Sequence, residues 1–240
     1  MLNTKITAGM SMYLNFISIP TEQTSAVTDL ILAVQSIVCL FVVRRTSEDP
    51  GFAITLWKWV FALLCIASSI GTAVHGFELT QEFVRVLWCP LYFALALLVA
   101  LVALAAVAHF GHENLSRRLL PASIGLAFVF FIVTQLWSDS FLLFVAYEAV
   151  MMLCALGLYV ACLWCPNRQR GAGSLAIGVF LTLIAAAVDT QSTLRIQFIW
   201  DFDNHGIFHL IQMLGLLIIA TGLSRSRVPV ADTEIGYVNR

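Results

Sequence analysis

Seven runs of apolar residues, each close to the length that crosses a hydrocarbon core (~20 residues), leave this chain few ways to fold. They lie at 26–43, 52–76, 83–108, 119–137, 141–164, 174–188 and 205–223. Lipid offers no hydrogen-bond partners, so each run is expected to pair its own backbone as an α-helix. The sixth is the shortest and reaches full length only if it takes in Asp189, Thr190 and Gln191. Composition agrees: 11% of residues are charged, where a soluble chain carries roughly a quarter, and mean hydropathy is +0.90. Short connections predict antiparallel neighbours. The expected fold is all-α, a seven-transmembrane-helix bundle forming one membrane domain over 26–224. An extracytoplasmic segment, 1–25, would precede it, and a cytoplasmic tail, 225–240, would follow. The first 25 residues lack an apolar core followed by a small-residue cleavage site, so no cleaved signal peptide is expected.

The basic residues give the bundle a direction. Arg44, Arg45, Arg117, Arg118, Arg168, Arg170, Arg225 and Arg227 all fall on one side. The other side carries mainly Lys5, Arg85 and Arg195, diluted by Glu78, Glu82, Asp139, Asp201 and Asp203. The positive-inside rule therefore predicts an external N-terminus and a cytoplasmic C-terminus. Trp57, Trp59 and Trp164 then fall near inner span ends, and Trp88, Trp137 and Trp200 near outer ones, as an interfacial aromatic belt requires. In a bacterial host the membrane would be the inner one. A net charge of −1 gives no reason to expect nucleic acid as a partner. The six cysteines have no zinc-finger spacing and read as small packing residues. Oligomeric state is left open.

With this direction the polar residues of the spans sort to one leaflet. Asp29 opens the first helix, His75 closes the second, and Glu148 lies two turns into the fifth. Asp189 closes the sixth, and His205 and His209 open the seventh. Ionisable groups at membrane depth are costly and usually functional. Lys58, the conspicuous charge of the inner half, is close enough to the boundary to snorkel. His205 and His209 share one helical face, and His75 from a neighbouring helix would complete a three-nitrogen shell for Zn²⁺ with one open position. As single residues they could equally be interfacial histidines bonded to loops or water. Asp189 opposes its helix dipole and calls for a partner: a metal, a histidine N–H or Arg195. Glu148 must face the bundle interior or a wet cavity. Asp29 reads as a first-turn acid or as part of the cluster. Asp201 and Asp203 read as caps of the seventh helix. Ser68, Ser69 and Thr72 read as packing residues, and His109 and His112 as solvated beside Arg117 and Arg118.

Seven spans, a histidine closing the second, and Asn204-His205-Gly206-Ile207-Phe208-His209-Leu210 opening the seventh resemble the CREST superfamily of membrane hydrolases. That group includes the alkaline ceramidases and the progestin and adiponectin receptors, and the likeness would make this chain a bacterial branch of it. The resemblance implies zinc held by His75, His205 and His209, and hydrolysis of a lipid amide or ester. Two positions depart from the pattern: the serine four residues before the second-helix histidine is Gly71, and the third-helix aspartate is Val86. The base would then come from Asp189, Asp29 or Glu148, in that order.

In such an enzyme the metal would activate water and polarise a carbonyl. A carboxylate would orient a histidine or take the proton. Two other classes stay open at this point. A haem protein would use His75 with His205 or His209 as axial ligands. A receptor-like protein would bind a ligand in the same cluster without chemistry. A retinal protein is disfavoured, because Lys5 and Lys58 are the only lysines and neither lies on the seventh span.

Overall fold

The structure, a computed structural model, describes residues 15–45, 51–136, 140–165, 171–191 and 193–225. They form seven helices: α1 (Pro20–Arg45), α2 (Phe52–Gly76), α3 (Gln81–His109), α4 (Glu113–Leu136), α5 (Ser140–Cys162), α6 (Ala172–Asp189) and α7 (Asn204–Arg225). All seven are long and apolar enough to cross a membrane, so the chain is built as an integral membrane protein. Lys5, Trp137, Asp139, Arg168, Arg170, Arg227 and the tail beyond Arg225 lie outside the described residues.

The ends of the helices depart from expectation in three places. α1 begins at Pro20, six residues before the apolar run. Proline at a first helical position suits that start, since its missing N–H would go unpaired there anyway. α4 begins at Glu113, where Arg117 one turn on donates to the Glu113 carboxylate at 2.7 Å. α6 stops at Asp189 after 18 residues, leaving Thr190 and Gln191 outside. At about 1.5 Å per residue it still covers nearly the whole hydrocarbon core. The α6–α7 connection holds an unexpected hairpin, β1 (Arg195–Gln197) and β2 (Asp201–Asp203), with Arg195 opposite Asp203. Its tip exposes Phe198, Ile199 and Trp200.

Six helices close a ring in the order α1, α2, α3, α5, α6, α7, with α7 returning to α1; α4 lies outside it, packed mainly on α3. The two ends of the ring are filled differently. At the end bearing Arg44, Arg45 and Arg225, the side chains of Val43, Trp57, Phe61, Tyr159, Leu175 and Leu223 are fully buried. His109 belongs to this core and is not solvated, contrary to expectation. Its Nδ1 lies 3.1 Å from the Ala105 carbonyl and 3.4 Å from the Tyr159 hydroxyl, which accepts from Trp57 Nε1 at 3.3 Å. His112 is exposed. At the opposite, hairpin end the ring is hollow.

Small residues let α6 and α7 meet at backbone distance. A Cβ on Gly178 would collide with Ile219 and come within 2.9 Å of the Gly215 carbonyl oxygen. On α4, by contrast, a Cβ on Gly125 would meet nothing within 4 Å. Gly178→Ala should therefore lose about 1–3 kcal/mol through overpacking. Gly125→Ala should gain up to ~1 kcal/mol from reduced backbone freedom in the unfolded chain. Thermal melts of the two variants in one detergent check the sign of each. Equal shifts would mean that α6 and α7 are not in contact there.

Candidate metal centre

The start of α7 is fixed by a side chain. Asp203 Oδ1 accepts the backbone N–H of Gly206 at 2.9 Å, the cap expected of a carboxylate at this position. That puts His205 in the first turn and His209 one turn further in, with ring centroids 4.5 Å apart. Asp189 ends α6 beside them. Its Oδ1 lies 3.0 Å from His205 Nδ1, and Asn204 Nδ2 donates to its main-chain oxygen at 2.7 Å. The partner that offsets Asp189 against its helix dipole is thus a histidine N–H rather than Arg195.

His75 is brought in by a short strap. Phe16 stacks on Phe77 at 5.1 Å, Ile17 N–H donates to the Gly76 carbonyl, and Glu78 N–H donates to that of Asn15. The strap ties the start of α1 to the end of α2. Glu22, in the first turn of α1, then meets His75 Nδ1 at 2.7 Å. The His75 ring lies 4.9 Å from that of His205.

His209 completes the pattern. Its Nδ1 is 2.8 Å from Thr28 Oγ1. That hydroxyl lies 2.9 and 3.0 Å from the carbonyls of Thr24 and Ser25, which take its single proton. It must therefore accept from His209 Nδ1–H. Glu22 and Asp189 likewise accept from His75 and His205. In all three rings Nδ1 is engaged by an oxygen, so that in the neutral ring the lone pair lies on Nε2. This arrangement fixes the tautomer and orientation of metal-binding histidines.

Asp29 faces that lone pair. Its Oδ1 is 3.3 Å from His209 Nε2, and the side chains are only 6% and 3% exposed. Two acceptors at this separation, away from water, need a proton or a cation between them. Asp29, His205 and His209 each offer a ligand atom, all within 4.8 Å of one another. His75 adjoins this trio through His205 and is not part of its tightest grouping. Sequence reasoning names the three histidines as the shell; the closest grouping instead takes a carboxylate from α1. Imidazole nitrogens with one carboxylate suit Zn²⁺, whereas Ca²⁺ and Mg²⁺ favour oxygen shells. The His75 and His205 rings, 4.9 Å apart, leave no gap for a porphyrin between them, which speaks against that pair as axial haem ligands.

The centre sits at the mouth of a cavity of about 150 Å³ enclosed by the six-helix ring. All six residues singled out from sequence line it: Asp29, His75, Glu148, Asp189, His205 and His209. Leu64, Leu95, Leu98 and Val99 form apolar wall further in. Two further positions, Gly71 and Val86, are placed by the structure. A Cβ at Gly71 would collide with the Asp29 carboxylate, lying 2.8 Å from its Cγ, so Asp29 fills the space that a side chain there would need. Val86 is 63% exposed and outside the cavity lining, so an acid there would not reach the metal. Glu22, Thr28 and Gln212 went unnoticed in the sequence. An earlier start for α1 at Pro20, with an acid two residues on, was the available signal for Glu22.

Gly71→Ala is expected to displace Asp29 and weaken zinc binding about 10–100-fold, the range seen when a supporting contact is lost. The fold should survive. Zinc titration against a competing chelator measures this, and unchanged affinity would separate Asp29 from the metal.

No curated protein and no solved structure matches the chain. The sequence profile of DUF6962, a family of unknown function, matches residues 24–228, from the first turns of α1 to just beyond α7. The chain belongs to that family.

Proposed function

We propose that this protein is a zinc-dependent hydrolase of the membrane that cleaves a lipid amide or ester. The observation that carries the reading is the set of three Nδ1 contacts, Glu22 to His75, Asp189 to His205 and Thr28 to His209. Packing histidines also pair one ring nitrogen, but here three rings do so side by side with a buried carboxylate facing the other nitrogen of His209. The CREST resemblance, which rests on the same three histidines, points the same way. The arginine distribution supports an N-terminus outside and a C-terminus in the cytoplasm. The centre would then lie in the outer half of the membrane, facing the periplasm in a bacterial inner membrane.

In this reading His205 and His209 hold the metal with Asp29 or His75 as the third donor. The bound cation would supply Lewis acidity and make water a stronger acid. The protein's own groups do the rest. Asp29, next to His209 Nε2, is positioned to take a proton from water entering the centre. Asp189, favoured from sequence as the base, has its Oδ1 committed to His205 and Asn204 and acts by orienting His205. The apolar wall of the cavity would hold an acyl chain, and the mouth would admit the polar head laterally from the lipid.

Asp29→Asn should cut turnover at least ~100-fold even with zinc supplied in excess, the lower range for loss of a general base. Asp189→Asn should instead weaken zinc binding about 10–100-fold. A panel of fluorogenic lipid amides and esters, assayed on zinc-loaded protein with metal content read in parallel, separates the two. If the zinc-loaded wild type cleaves none of them, the hydrolase reading falls; if Asp29→Asn keeps full turnover, the assignment of the base falls.

A further inference from the structure

The cavity has a second polar level that the metal centre does not use. Gln212 lies eight residues inward from Asn204, the first residue of α7, and Glu148 eight inward from Ser140, the first of α5. Ser68 lies eight residues inward from Gly76, the last residue of α2. At about 1.5 Å per residue these positions are each ~12 Å from their helix ends, roughly one turn deeper than His209. All three residues line the cavity. Gln212 Oε1 is buried with no hydrogen-bond partner. Glu148 opens onto the same space and makes no hydrogen bond among the described residues. Below them the wall is apolar. A plain acyl chain threaded from the metal to that floor would pass an amide and a carboxyl while satisfying neither.

We propose that Glu148 and Gln212 read a hydroxyl on the ligand's own chain, a few bonds beyond the group presented to the metal. The ligand is then a single-chain hydroxyacyl lipid rather than a plain acyl lipid. A hydroxyl carries one donor and two acceptor sites. One such group donates to the orphaned Gln212 Oε1 and accepts from the Glu148 carboxyl O–H, and it adds little volume to a confined cavity. The proposal deepens the hydrolase reading and rests on it for the position of the head group. Specificity of this kind is strong because the analogue lacking the hydroxyl leaves buried polar groups unpaired.

Binding of free acids tests the idea without requiring turnover. The probes are 3-hydroxydodecanoate, dodecanoate and 12-hydroxydodecanoate, titrated calorimetrically into zinc-loaded full-length protein in detergent, with zinc content measured on each sample. The wild type should bind the 3-hydroxy acid at least about tenfold more tightly than the other two, the equivalent of one good hydrogen bond. Glu148→Leu and Gln212→Leu should each remove that preference with zinc retained, and Glu148→Gln should keep part of it. Gln212→Ala, checked by its melting curve, replaces Gln212→Leu if the larger side chain fails to fold. Equal binding of the three acids, or no binding, by folded zinc-loaded protein would mean that the deeper level holds water only and would overturn the proposal, leaving the metal centre intact. A preference that survives both substitutions would overturn it as well. A preference present in protein that binds no zinc, and lost in Gln212→Leu, would support the deeper level while removing the hydrolase reading.

Discussion

The lone pair of His209 Nε2 and the carboxylate of Asp29 face each other across 3.3 Å in the interior of an apolar bundle. In water such a pair would be separated by solvent; here burial removes that option, and a proton or a cation between them is needed to make the arrangement stable. Much of the hairpin end follows from meeting this constraint. Thr28 holds the His209 tautomer that points the lone pair inward. Gly71 gives up its side chain so that the carboxylate fits. Asp203 fixes the start of α7, so that His205 arrives beside the pair.

The asymmetry of the ring makes this chemistry accessible. One end is filled by Trp57, Phe61, Tyr159 and their neighbours, with His109 bonded inside it. The other end is left hollow. A solid end sets the relative positions of six helices, so the hollow end can carry groups that would otherwise be driven together or out to lipid. α4 stands outside the ring and contributes nothing to the cavity lining. The close contact of α6 with α7 at Gly178 and Gly215 holds Asp189 and His205, which those two helices carry, in mutual reach.

Much of this was legible in the sequence, for identifiable reasons. Membrane thickness sets span length, so each apolar run has its helix: five lie wholly inside one, the fifth run ends two residues beyond α5, and the fourth ends at Trp137, outside the described residues. Polar residues are costly in lipid, so the six that stood out from the spans all line one cavity. The misses share a cause as well. Glu22 and Thr28 are ordinary polar residues at a helix start, and only the strap through Phe16 and Phe77 and the packing of α1 on α7 give them partners. Gln212 lies one turn inward from His209 on α7 and has no motif to mark it. His109 was read from its charged sequence neighbours, whereas its surroundings are set by Tyr159 and Trp57 from other helices. The hairpin between α6 and α7 is too short to carry a pattern of its own. Asp189 stands out in the sequence by opposing its helix dipole, but that its Oδ1 is engaged by His205 follows from the packing of α6 on α7, which sequence does not hold.

The most direct test of the account is metal content by plasma mass spectrometry on detergent-purified protein, wild type beside His205→Ala/His209→Ala. About one zinc per wild-type chain is expected, lost in the double variant while the helical fold persists, as for a site whose ligands come from packed helices. Wild-type protein that is folded, has been offered zinc and binds none would contradict it.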